Sequence, residues 1–217
     1  MSRVASVPIV AYNIRKKMGS KIFVVRHAES KHNVDKNFNQ LDPGLTALGV
    51  QQAEQLGRIF PDPDCVGLIL TSPLQRALQT TLSAFSNILD KRYFDSQSGQ
   101  GVNGGVELLI DADAQERSDL PCDTGSDRDT LGKTFPYLDF STLPENWPLK
   151  DGPYTPDDEA LRARAGKLRQ RLRELVESLN DTKKTIVVVT HGVFMKFLTQ
   201  DENIDLPKAG WSVYYAH

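Results

Sequence analysis

Short apolar runs alternate along the chain with stretches whose apolar residues recur every three or four positions. This is the pattern of a sheet with helices between its strands. Lys21–Arg26 (KIFVVR) is rich in β-branched and aromatic residues and holds no turn former, so it predicts a buried strand. Val66–Leu70, Val106–Ile110 and Thr185–Thr190 predict three more, and Trp211–Tyr215 a last one. Leu45, Leu48, Gln52, Leu56 and Ile59 fall at helical steps, as do Leu74, Leu78, Leu82, Phe85 and Leu89. The clearest helix is Asp157–Asn180, with Leu161, Ala165, Leu168, Leu172, Leu175 and Leu179 on one face. Thr155 suits its N-cap, Pro156 its first position, and Asp157 and Asp158 the positive end of its dipole. The predicted fold is α/β: a three-layer α/β/α sandwich around a mostly parallel central sheet.

Two stretches break the pattern. Asp95–Gly105 (DSQSGQGVNGG) is polar and glycine-rich and reads as a surface loop. Residues 117–156 hold six of the twelve prolines and few periodic apolar positions. So long an excursion is expected to shape a substrate site, and Phe135, Tyr137, Phe140 and Trp147 give it apolar area to pack. The expected plan is one domain over residues 21–217 with an insertion around 117–156. Residues 1–20 form an N-terminal extension. That extension is mildly basic (Arg3, Arg15, Lys16, Lys17) and lacks the apolar core of a secretory signal, with a transit peptide as the alternative.

Composition narrows the setting. Hydrophobic residues make up 39% and charged residues 25%, which is ordinary globular usage, and the net charge of −2 speaks against a nucleic-acid or acidic-membrane surface. No apolar run approaches the roughly 18 residues of a membrane span. Cys65 and Cys122 are too few for a disulfide framework or a paired-cysteine metal site. A soluble cytoplasmic protein with reduced thiols is expected.

The chemistry gathers at strand ends. The first strand closes on Arg26-His27, followed by Ala28-Glu29-Ser30 and His32-Asn33. The second closes on Thr71-Ser72-Pro73 and opens a helix bearing Arg76; the fourth closes on Thr190-His191-Gly192 and opens another. Ligands of open parallel sheets sit beyond the carboxyl ends of the strands, so Arg26, His27, Arg76 and His191 should share one crevice. Two arginines and two histidines without neighbouring acids describe an anion pocket. Phosphate suits it: arginine presents a planar fork of donors, and the helix N-termini after Pro73 and near Gly192 would add free backbone N–H groups.

Arg26-His27-Ala28-Glu29-Ser30 with Asn33 resembles the "RHG" signature of the histidine phosphatase superfamily, the phosphoglycerate mutase-like fold. The likeness continues through Leu45-Thr46, Gly49 and Gln52-Ala53, then Thr71-Ser72-Pro73-Leu74 with Arg76, Ala77 and Thr80, and ends on Thr190-His191-Gly192, spanning about Lys21 to Thr199. Ala28 departs from it, standing where the family usually has glycine. The resemblance implies that His27 attacks phosphorus to form a phosphohistidine. Arg26, Arg76 and His191 would clamp the phosphoryl oxygens, and Asn33 would add an amide donor. Gly192 would lie against the substrate. Glu116 would protonate the leaving group, with Glu29 and Asp113 as competitors. Asp123 and Ser126, in a stretch similar to one in small fungal members, are candidate substrate contacts.

The expected function is therefore metal-independent hydrolysis of a small phosphorylated metabolite, with no cofactor and no nucleic-acid or membrane partner. Two alternatives stand beside it. One is a phosphoglycerate mutase-type phosphotransferase; the other is a non-catalytic phospholigand binder on the same fold. A mutase must hold a second phosphate, and Val193-Phe194 after the second histidine offers no cation for it. An apolar or mixed substrate body is therefore expected.

Overall fold

A computed structural model of the protein describes residues 20–179 and 182–216. The five predicted strands form one sheet: β1 (Ser20–Arg26), β2 (Val66–Thr71), β3 (Glu107–Ile110), β4 (Thr185–Thr190) and β5 (Trp211–Ala216), in the order β3-β2-β4-β1-β5. The first four run parallel. β5 is antiparallel to β1 and sets Trp211 opposite Val25. Each central strand is apolar on both sides, as a covered parallel sheet requires. Phe23, Val25, Ile69, Val187 and Val189 face one core, with Ala53, Leu56, Leu74 and Leu78 from α2 (Ala47–Ile59) and α3 (Gln75–Ala84). Ile22, Val24, Leu68, Leu70, Ile186 and Val188 face the other, with Leu168, Leu172 and Val176 of α5 (Asp158–Ser178) and Phe194 and Leu198 of α6 (Phe194–Thr199). The predicted three-layer sandwich is the observed one. All but Ser20 of the expected extension lies outside the described residues.

Three local expectations change. On α2, Leu48 and Ile59 point outward, 51% and 60% exposed, and the buried face runs through Gly49, Ala53 and Leu56. The reason is close approach: a Cβ on Gly49 would lie 2.0 Å from the Glu29 carbonyl oxygen, and one on Gly57 would lie 2.0 Å from that of Ala84 in α3. The smallest residues, with Leu56, mark where this helix touches the fold. On α5 the cap is Asp157, whose carboxylate accepts the Ala160 N–H at 2.9 Å, and Thr155 donates its hydroxyl to that carboxylate instead. A carboxylate placed before the first turn answers both the unpaired N–H groups and the dipole, so the helix starts after the proline.

The excursion after β3 carries a short helix, α4 (Arg128–Thr134), and packs on the α2/α3 side through Leu131, Phe135, Phe140 and a fully buried Trp147. Gly125 lies flat under the Trp147 ring, where a Cβ would overlap it. Tyr137, expected to pack, is 45% exposed and donates its hydroxyl to Asp95.

Candidate active site

The carboxyl ends of β1 and β4 are stitched by His27 N–H to the Thr190 carbonyl, and those of β2 and β4 by Ser72 N–H to the Val189 carbonyl, each at 3.0 Å. This register delivers two histidines side by side, with His27 and His191 ring centroids 5.1 Å apart. Arg76, on the first turn of α3, places Nε 3.3 Å from His27 Nε2. Arg26 lies against Gly192, where a Cβ would come within 3.0 Å of its guanidinium. The four residues expected to converge do converge.

Their protonation is set by the surroundings. A carbonyl can only accept, so the 2.7 Å contact between His27 Nδ1 and the Ala28 carbonyl puts the proton on Nδ1. The lone pair is left on Nε2, facing Arg76. Burial first, then the Arg76 and Lys208 charges, hold His27 well below the usual imidazole range. His191 is likewise depressed by burial and then by Arg76. Ser72 Oγ accepts the Leu74 N–H and shares one hydrogen bond with His191 Nε2 at 2.8 Å. His191 Nδ1 is buried without a partner among the described residues, as is Arg26 Nε.

Arg76 is 1% exposed, and three of its five N–H groups already have partners. Nη1 donates to the Cys122 carbonyl at 2.6 Å and Nη2 to Asp123 at 2.7 Å, so the excursion holds the guanidinium from the outside. Asp42 secures both parties. Buried and left-handed (φ 42°), it accepts the Gln75 N–H at 2.9 Å and the Ser126 N–H at 3.0 Å, and so caps α3 from a distance. Ser126, a candidate substrate contact, is buried in this joint.

Glu116 sits just beyond β3 with its carboxylate on the start of α6, accepting N–H groups of Val193 and Phe194 at 3.1 Å and of Arg117 at 2.8 Å. Its competitors have other partners. Asp113 pairs with Lys167 of α5 at 2.9 Å, and Glu29 accepts the Thr46 hydroxyl at the head of α2. The helix termini also differ from expectation. The N–H groups of Gln75, Val193 and Phe194 are taken by Asp42 and Glu116, because carboxylates on the chain reach the same positive dipole ends that phosphate would. Asn33 spends its carbonyl on the Ser30 N–H and hydroxyl and one amide hydrogen on His32 Nε2, which leaves a single N–H for a ligand. His32, Cys122 and Asp123 bring ligand atoms within 4.8 Å of one another, but Arg76 already sits on Asp123 and opposes a cation there.

Two cations at the site escaped the sequence reading. Lys150, in the excursion, donates to Gln115 Oε1 at 2.8 Å and to the Glu116 carbonyl at 2.9 Å; burial and then Arg164 push it down to about 8. Lys208 precedes β5. Burial, then Arg26 and Arg76, push it down to about 8 against the pull of Glu116 and Glu29. No motif marks either residue. One signal for Lys208 was available: an antiparallel edge strand begins at the end of the sheet where its parallel neighbours finish.

Comparison with known proteins follows the same residues. The profile of the histidine phosphatase superfamily, branch 1, matches residues 22–89. A Schizosaccharomyces pombe protein named as a probable phosphatase is 30% identical over 197 residues, covering 86% of this chain and 83% of its own. The chain belongs to the histidine phosphatase superfamily. An Arabidopsis thaliana phosphoglycerate mutase-like protein is 27% identical over 202 residues, covering 80% of this chain and 68% of its own. Among solved structures, the α-ribazole phosphatase of Shigella flexneri superposes with a TM-score of 0.54 at 20% identity, and YhfR of Bacillus stearothermophilus with 0.55 at 20%. Each covers 89% of both chains and shares the histidine phosphatase fold. Among the described residues no helix is long and apolar enough to cross a membrane.

Proposed function

We propose that this histidine phosphatase homologue hydrolyses a small-molecule phosphomonoester through a phosphohistidine on His27, without a metal. One observation carries the reading. The His27 Nδ1 proton is committed to the Ala28 carbonyl and the Arg76 Nε–H points at Nε2, so the ring is neutral and presents the Nε2 lone pair beside Arg76. Nε2 attacks phosphorus, the P–O bond to the alcohol breaks, and the alcohol leaves with a proton. Water then attacks phosphorus and gives a proton to the acid that protonated the alcohol, the P–N bond breaks, and Nε2 returns to its neutral state. Arg76, Arg26 Nε and, as its Nδ1–H tautomer, His191 are the donors that would meet the phosphoryl oxygens as charge redistributes. A mutase-type transfer and a silent phospholigand binder remain the alternatives, and turnover separates them.

The test is to catch the intermediate. Protein mixed with p-nitrophenyl phosphate and quenched in alkaline denaturant, where a P–N bond survives, should yield a phosphorylated peptide containing His27 by mass spectrometry. An active enzyme that never shows this adduct removes the covalent route.

We assign the leaving-group proton to Glu116, the acid of the expected set whose carboxylate lies at the His191 loop. Glu116→Gln should lower kcat on an alkyl phosphate by about 100-fold or more and on p-nitrophenyl phosphate, whose phenolate leaves unaided, by less than about tenfold. Equal losses on both substrates would return the proton to another group.

A further inference from the structure

Beside the phosphoryl cradle stands an ammonium with nothing to hold. The loop 205–210, between α6 and β5, lies across the end of β1 and is fastened there from several directions. Arg26 Nη1 donates to the Leu206 carbonyl and lies 3.1 Å from Asp205, Arg26 N–H donates to the Gly210 carbonyl, and Ala209 N–H donates to the His27 carbonyl. Within this frame Ala209 is held at φ 57°. A left-handed alanine is strained and persists only where its surroundings impose it, typically at functional sites.

The kink fixes the neighbouring Lys208. Its side chain borders the groove formed with Leu48 and Gln52 of α2. Its ammonium lies in the field of Arg26, Arg76, Glu116 and Glu29, and it acts in turn on His27, His32 and His191. Lys150 has two acceptors; Lys208 Nζ has no hydrogen bond or ion pair among the described residues. A cation half-withdrawn from water beside two guanidiniums is unfavourable until a counter-charge arrives.

We propose that Lys208 receives a second anionic group of the substrate, a carboxylate or a second phosphate, carried next to the phosphate that the two histidines hold. This rests on the phosphatase reading and narrows it. The substrate is a phosphorylated acid or a bisphosphate, and the apolar body expected from Val193-Phe194 gives way to a charged one. The preference should also depend on pH. Lys208 faces Arg26 of β1, Arg76 of α3, Glu29 before α1 (Lys31–Asp35) and Glu116 beyond β3, with the three histidines neutral at pH 7. The ammonium is present below about 8 and lost above it, so recognition of the second anion should weaken as pH rises through that value.

The experiment compares kcat/KM at pH 7 for propyl phosphate, the phosphate ester of 3-hydroxypropanoate and 1,3-propanediol bisphosphate, with p-nitrophenyl phosphate as reference. Wild type should favour at least one of the charged esters over propyl phosphate by about tenfold or more, and the favoured one tells carboxylate from phosphate. Lys208→Met should bring that ratio to within about threefold and remove its decline above pH 8, whereas Lys208→Arg should keep most of the ratio. A wild type that turns over p-nitrophenyl phosphate and propyl phosphate as readily as the charged esters overturns the assignment while leaving the phosphatase intact. So does a Lys208→Met variant that keeps the preference. An enzyme inert toward p-nitrophenyl phosphate removes the phosphatase reading and this one with it.

Discussion

His27→Ala should lose p-nitrophenyl phosphate turnover by a factor on the order of 10^4 or more, the loss typical of deleting a covalent nucleophile. The same variant should still bind vanadate or phosphate within about tenfold of wild type, because Arg76, Arg26 and His191 form the cradle without it. The two measurements together separate a nucleophile from a ligand. The ring makes one hydrogen bond to the protein backbone and accepts one from Arg76, so its removal disturbs little else. A variant that retains more than a few per cent of wild-type turnover would show that the histidine only orients substrate. A variant that loses turnover and anion binding alike would show that it acts by holding the phosphate.

Arg76→Ala should be the most damaging single change to site and fold together. The guanidinium is 1% exposed and joins three things: His27 Nε2, the Cys122 carbonyl and the Asp123 carboxylate. Truncation removes a donor proposed for the phosphoryl group and should cost about 10^3 in kcat/KM, the scale of a lost transition-state donor in a dry site. It also leaves Asp123 largely buried without its cation and should lower stability by about 3 kcal/mol. Arg76→Lys keeps the charge but not the fork. It should recover part of the stability and little of the activity, since one ammonium cannot reach three partners at fixed angles. Urea unfolding and steady-state kinetics on both variants check the split. An Arg76→Lys enzyme as active as wild type would show that charge alone matters there.

The two substitutions differ in what the chain had to arrange. His27 follows directly from a strand, and its tautomer is set by the carbonyl of the next residue. Arg76 works only because a segment about fifty positions later closes over it, held at one end by Arg76 itself and at the other by Asp42. Sequence reading reached the arginine and missed its partners for that reason. Cys122, Asp123 and Asp42 lie in irregular backbone, where no period of 2 or 3.6 relates a residue to a place in space. The same limit explains α2, where the counted stripe holds Leu45 and Leu56 inside but Leu48 and Ile59 outside, because glycine, invisible to a hydrophobic pattern, sets the closest approach.

What the residues determined unaided is the sheet, the order of its helices and the convergence of Arg26, His27, Arg76 and His191. Apolar alternation specifies strands locally, and parallel strands must deliver their ends to one side. Tertiary structure alone decided which donors are spent and which stay free. Asp42 and Glu116 fill the helix N-termini that phosphate was expected to use, and Lys208 arrives from the loop before the antiparallel edge strand with no hydrogen bond or ion pair among the described residues. Hydrogen bonds and ion pairs between distant segments depend on distances of a few tenths of an ångström, and only the packed chain sets those.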